Sequence, residues 1–135
     1  LCALTFGSLF TAGASYYGVS DLLTLAEETH KFEAKYLDQL IAPYPEKKEI
    51  YRKRSPIFSI EKLHCPVIFF QGMQDRVVNP SQTIQMYEAL QKKGIFSELH
   101  LYEKEGHGFR RQESIRESLE KEHAFYLKVW ETHPI

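Results

Sequence analysis

The chain has 135 residues, one domain's length, and folding it could bury roughly two-thirds of the surface that an extended chain exposes. Its residues are 43% hydrophobic and 26% charged, and its formal net charge of −1 provides no field to draw it to nucleic acid or an anionic membrane. Composition leaves chemistry on small molecules or peptides open.

The opening stretch Leu1–Ser20 is apolar, and Ala12-Gly13-Ala14 mimics a leader-cleavage site. It has no initiator Met and no basic start, and Gly7, Gly13 and Gly18 interrupt it too often for a membrane span, which needs about 20 apolar residues in a row. A chain beginning in mid-pattern reads as a fragment. Within this stretch Leu9–Ser15 fits a short buried strand, and Ser20 offers an N-cap before Asp21-Leu22-Leu23. Phe32, Tyr36 and Leu40, with Leu37 and Ile41 beside them, repeat at helical spacing and predict a helix over Lys31–Ala42, stopped by Pro43-Tyr44-Pro45. The charge run Glu46–Arg54 is short, its charge is partly compensated and it lacks aromatics interleaved in a basic field, as a solvated helix face or loop would.

Pro66–Gln71 is a continuous apolar run opened by proline, the pattern of a strand covered on both faces in a parallel sheet. After it, Asn79-Pro80 supplies an N-cap and a proline at the first helical position, and Gly94 follows Lys92-Lys93 as a stop, predicting a helix over Pro80–Lys93. Ile95–Tyr102 reads as a further strand. Leu99 and Leu101 alternate there with Glu98 and His100, which predicts a more exposed side and a place nearer the sheet edge. The last segment, Gln112–Thr132, sets Ile115, Leu119, Tyr126, Val129 and Trp130 on one helical face against Arg116, Glu117, Glu120 and Lys121. Strands alternating with helices, and no hairpin signal between them, argue an α/β fold with a parallel sheet flanked by helices.

Two strand-ending motifs carry the chemistry. Gln71-Gly72-Met73-Gln74-Asp75 closes one strand, and Glu105-Gly106-His107-Gly108-Phe109 follows the next. In open parallel sheets, reactive groups collect on loops at the carboxyl ends of strands. A carboxylate accepting the Nδ1 proton of an imidazole frees Nε2 to take a proton from a serine hydroxyl, and Asp followed by His is the order of the last two members of an α/β-hydrolase triad. Asp75 and His107 are therefore the candidate catalytic residues. The best internal serine, Ser15 in Gly13-Ala14-Ser15-Tyr16-Tyr17-Gly18, has Tyr17 where a nucleophile elbow needs a glycine, and Ser8 is flanked by Phe6 and Phe10. His30, His64, His100, His123 and His133 show no metal-ligand spacing and read as surface or packing residues. Cys2 and Cys65 form neither a disulfide framework nor a metal pattern, and read as two buried thiols of a reducing, cytoplasmic compartment.

These segments together resemble the C-terminal part of the catalytic domain of the prolyl oligopeptidase family of serine peptidases, in its dipeptidyl-peptidase and acylaminoacyl-peptidase-like branch. The resemblance rests on Ala12–Gly18, Thr29–Glu33, Tyr51–Pro56, Gln71–Gln82 and Glu105–Phe109, and covers residues 1–135 as one partial α/β-hydrolase unit truncated at its N-terminus. It implies that Asp75 is the triad acid and His107 the triad base. It also implies that the nucleophilic serine lies a short way upstream of Leu1, with Leu1–Phe6 the tail of the helix behind the elbow. No cofactor or metal is implied. The expected partners are a peptide substrate, the upstream half of the same catalytic domain and an N-terminal β-propeller, with neither nucleic acid nor membrane. A short sheet with an unpaired apolar edge also favours self-association into a homo-oligomer. An esterase or dienelactone-hydrolase-like enzyme would share the same Asp and His placement, and a catalytically dead homologue would keep the fold without the activity.

Overall fold

The computed structural model describes residues 1–29 and 36–132. In chain order the elements are α1 (Cys2–Phe6), β1 (Gly13–Tyr16), α2 (Leu22–Thr29), α3 (Tyr36–Leu40), α4 (Lys48–Arg54), a kinked 3-10 helix (Pro56–Lys62), β2 (Val67–Gly72), α5 (Pro80–Lys92), β3 (Ser97–Tyr102) and α6 (Gln112–Thr132). The strands form a parallel sheet in the order β1-β2-β3, with Gly13 abreast of Val67 and Val67 abreast of Ser97.

Alternation along β2 explains the two cores. All six β2 residues are buried, so both faces of the central strand are covered. Val67 and Phe69 point to one side, where Met86 and Leu90 of α5 and Leu63 close a core with Leu1 and Leu4. Ile68 and Phe70 point to the other, against Phe125 and Val129 of α6 and Tyr102 of β3. A third cluster, Ala26, Ala42 and Tyr51, sits among the helices between β1 and β2, and the Tyr51 hydroxyl donates to the Ala42 carbonyl at 2.7 Å.

The α/β reading with its parallel sheet is what the structure shows, and several details differ from the expectations. The first strand is shifted: it runs from Gly13 to Tyr16, while Leu9 is 90% and Phe10 56% exposed. An apolar run becomes a strand only where a partner takes its backbone groups, and Gly13 N–H, bonded to the Pro66 carbonyl, begins that ladder. The helix after it is capped by Asp21, not Ser20. Asp21 Oδ1 accepts from Leu23 N and Thr24 N, while the Ser20 hydroxyl donates to the Gln82 carbonyl and ties this loop to α5. Of the helix expected over Lys31–Ala42, the part 31–35 lies outside the described residues, and Tyr36–Leu40 is helical.

β3 lies at the sheet edge, as expected, but its polar face is covered as well as the face from which Leu99 packs into the α5-side core. Glu98 accepts from Lys128 at 2.8 Å, and His100 stands between Glu98 and Lys121, so lysines of α6 satisfy side chains that alternation alone would leave in water. On α6 the buried stripe is Ser114, Ser118, Phe125 and Val129, leaving Ile115, Leu119 and Trp130 on an exposed side. Small serines let the first half of the helix approach closely, which rotates the buried face away from the expected one. Cys2 is exposed and Cys65 partly buried, so the two thiols do not share a buried setting. Among the described residues no helix is long and apolar enough to cross a membrane.

Candidate active site

The two motifs meet because β2 and β3 are adjacent and parallel, so their following loops leave the sheet at the same end. Those loops are stitched by backbone: Met73 N–H donates to the Tyr102 carbonyl and Gln74 N–H to the Glu105 carbonyl, both at 2.9 Å. The approach is close enough that a Cβ on Gly72 would lie 2.5 Å from the carbonyl oxygens of Glu105 and Gly106. Past His107 the chain reverses at Gly108, whose φ of +89° lies in the region that side-chain-bearing residues avoid.

Asp75 and His107 are in contact. Asp75 Oδ2 lies 2.9 Å from His107 Nδ1, with the carboxylate side chain fully buried and the imidazole 38% exposed. Oδ1 accepts from the N–H groups of Val77 and Val78, each at 2.8 Å, and Oδ2 also accepts from Gln71 Nε2 at 3.2 Å. Four donors thus converge on one carboxylate, matching its four lone-pair positions. With Nδ1 donating to Asp75, Nε2 of His107 carries the free lone pair, and it belongs to the more open part of the pair.

Neighbouring side chains fix the histidine loop. Glu105 is buried and its two carboxylate oxygens accept from the N–H groups of Arg110 and Arg111, each at 3.0 Å. Burial alone would raise its pKa. Hydrogen bonds from Arg110 N–H, the Ser114 hydroxyl and Arg111 N–H outweigh it, and the carboxyl is held below its ordinary value. Phe109 packs its ring 4.7 Å from that of Tyr102, anchoring the far side of the loop. Tyr17, at φ +42°, turns out of β1 so that its ring lies 4.9 Å from the His107 ring.

The structure therefore brings together both residues that the motifs singled out. It does not bring Ser15 to them: Ser15 lies within β1 abreast of Phe69, 7% exposed, and a Cβ on Gly18 would collide with its hydroxyl. Gln71, Glu105 and Tyr17 were not read as part of the site from sequence. A polar residue closing an otherwise apolar buried strand was the available signal for Gln71, and an acid adjoining Gly-His-Gly was the signal for Glu105.

Comparison with known proteins places these features in a family. Residues 1–133 match the model of the prolyl oligopeptidase family. A puromycin-hydrolyzing peptidase from Mycobacterium tuberculosis is 41% identical and superposes with a TM-score of 0.89 over 94% of this chain and 19% of its own. A Pyrococcus horikoshii acylaminoacyl peptidase is 26% identical, with a TM-score of 0.77 over 96% of this chain and 21% of its own. Dipeptidyl peptidase family member 6 from Caenorhabditis elegans is 30% identical over 87% of this chain and 17% of its own length. The chain thus spans about a fifth or less of the length of these relatives.

Proposed function

The chain belongs to the prolyl oligopeptidase family, and on that premise we propose that it carries the acid and base of a serine peptidase, Asp75 and His107. The observation that carries this reading is the 2.9 Å contact between Asp75 Oδ2 and His107 Nδ1 at the carboxyl ends of β2 and β3. The nucleophile is a serine supplied by residues that precede this chain in a longer protein, together with the oxyanion-hole donors. His107 Nε2 takes the serine proton as Oγ attacks the substrate carbonyl, and Asp75 holds the imidazolium that results. The proton then passes to the leaving amine, releasing it and leaving an acyl-enzyme. Water repeats the cycle and frees the acid.

The substrates are peptides from which short or N-blocked residues are released, and the setting is cytoplasmic. The upstream half of the catalytic domain and a β-propeller complete the molecule. An esterase would use the same pair. The names of the relatives given above, at 26–41% identity, support the peptidase reading.

The test is kinetic. In the full-length protein, Asp75→Asn should lower kcat/KM on an aminoacyl or peptidyl anilide by roughly 10⁴-fold, as expected when the imidazole loses its orienting carboxylate, and His107→Ala should lower it at least as far. Losses below tenfold in folded variants would refute the assignment.

A further inference from the structure

Gln71 is unusual for where it stands. It follows Val67 and Phe69 on the face of β2 that α5 covers, and it is fully buried in a strand whose preceding residues are all apolar. A primary amide under a helix is unfavourable unless each of its groups is paired, and a leucine would suit that face better if packing were the only requirement. Here every group is paired. Its Nε2 reaches the Gly72 carbonyl at 3.0 Å and Asp75 Oδ2 at 3.2 Å, and its Oε1 receives the hydroxyl of Thr83, on the first turn of α5, at 2.7 Å.

The orientation of the amide follows from its partners. Both atoms near one end are acceptors, a carbonyl and a carboxylate oxygen, so that end must be the NH₂ group, and the Thr83 hydroxyl must donate to the other. The bond to Asp75 falls on Oδ2, the oxygen that His107 also uses, whereas Oδ1 is engaged by backbone N–H groups. Resting on the reading of Asp75 and His107 as an acid–base pair, we propose that Gln71 is a positioning residue for it. Held by Thr83, its amide shares the carboxylate oxygen that receives the imidazole, fixing the carboxylate plane and tempering how strongly Asp75 engages His107. A donor that stabilises the carboxylate's charge leaves less of it to act on the histidine.

The inference is tested on the intact protein by the pH profile of carbethoxylation of His107 with diethyl pyrocarbonate, which reacts with neutral imidazole. Trypsin cleavage after Lys104 and Arg110 yields the peptide Glu105–Arg110, in which His107 is the sole histidine, so mass spectrometry reads this site alone. In Gln71→Met the midpoint of the profile should move up by about half a pH unit to one unit, a part of what one hydrogen bond to a charged group is worth, because the change reaches His107 only through Asp75. Thr83→Val should move it in the same direction by less, and Thr83→Ser should restore the original profile. The exposed His64 serves as an internal control and should not move. An unmoved or lowered midpoint in folded Gln71→Met overturns the role of Gln71. If that variant fails to fold, an unmoved midpoint in Thr83→Val does so. Asp75→Asn separates this from the underlying reading: a lowered midpoint there, with none of the other shifts, removes only the role of Gln71, whereas no change there removes the acid–base pair itself.

Discussion

Gly72 carries more of the site's geometry than its lack of chemistry suggests. The carbonyl oxygens of Glu105 and Gly106 occupy the space that a Cβ would need, so the Asp75 loop and the His107 loop can touch only because this position is bare. Gly72→Ala should push the loops apart by a few tenths of an ångström or more, lengthen the Asp75–His107 contact and lower the proposed peptidase activity of the full-length protein at least tenfold while costing about 1–3 kcal/mol of stability. Activity and thermal melting of that variant check it; wild-type activity would mean the loops tolerate separation. Glu105 makes a second residue-level prediction, in pH. Its folded-state pKa lies below the unfolded carboxylate value of about 4.3, so the stability it gives to the His107 loop is present above that pH and lost as the pH falls through the folded value. Hydrogen exchange at the Arg110 and Arg111 amides should therefore lose protection on acidification below about pH 4.3 beyond the general decline of the fold. Glu105→Gln should abolish that extra pH dependence. The meeting of Asp75 and His107 was readable in the sequence because each follows a strand of a parallel sheet, and adjacent parallel strands release their loops at the same end. Gln71 was not, since a lone amide in an apolar run gives no hint of which carboxylate it will meet.

At the scale of elements, the segments that the sequence defined best were those with local signals at both ends. Asn79 caps α5 through its Oδ1, which accepts from Ser81 N–H at 3.0 Å, with Pro80 at the first helical position. Asn79→Ala should cost about 1 kcal/mol in denaturant unfolding. A change below about 0.3 kcal/mol would show that the tertiary packing of α5, not its cap, fixes where the helix begins. Elements set by tertiary contact were legible in kind and not in detail. The strand β1 begins where β2 offers hydrogen-bond partners, a fact absent from the composition of Leu9–Ser15. Likewise the apolar stripe of α6 was read from periodicity, and the true buried stripe is rotated because Ser114 and Ser118 permit closer approach than Ile115 and Leu119 would. The face of β3 that carries Glu98 and His100 was misjudged for a related reason. Lys121 and Lys128 lie far along the chain, and only the packed helix brings them over the strand.

For the whole molecule, the arrangement is a buried carboxylate in contact with a partly exposed imidazole, built on a short parallel sheet at one end of its strands. His107 stands ready with Nε2, Tyr17 lies beside it, and the one serine on the neighbouring strand is buried within the sheet. The fold class was legible because alternating strand and helix signals leave few topologies, and the family because its motifs survive in order along nearly the entire chain. What a single chain could not disclose is the nucleophile that the proposed function pairs with His107, since that group need not be near it in sequence. Labelling of the full-length protein with a fluorophosphonate, followed by mapping of the modified residue, tests this most directly. The account predicts one labelled serine, preceding residue 1 of this chain, with labelling abolished in His107→Ala. A label on Ser15 or another serine within the chain, or labelling that persists without His107, would contradict it.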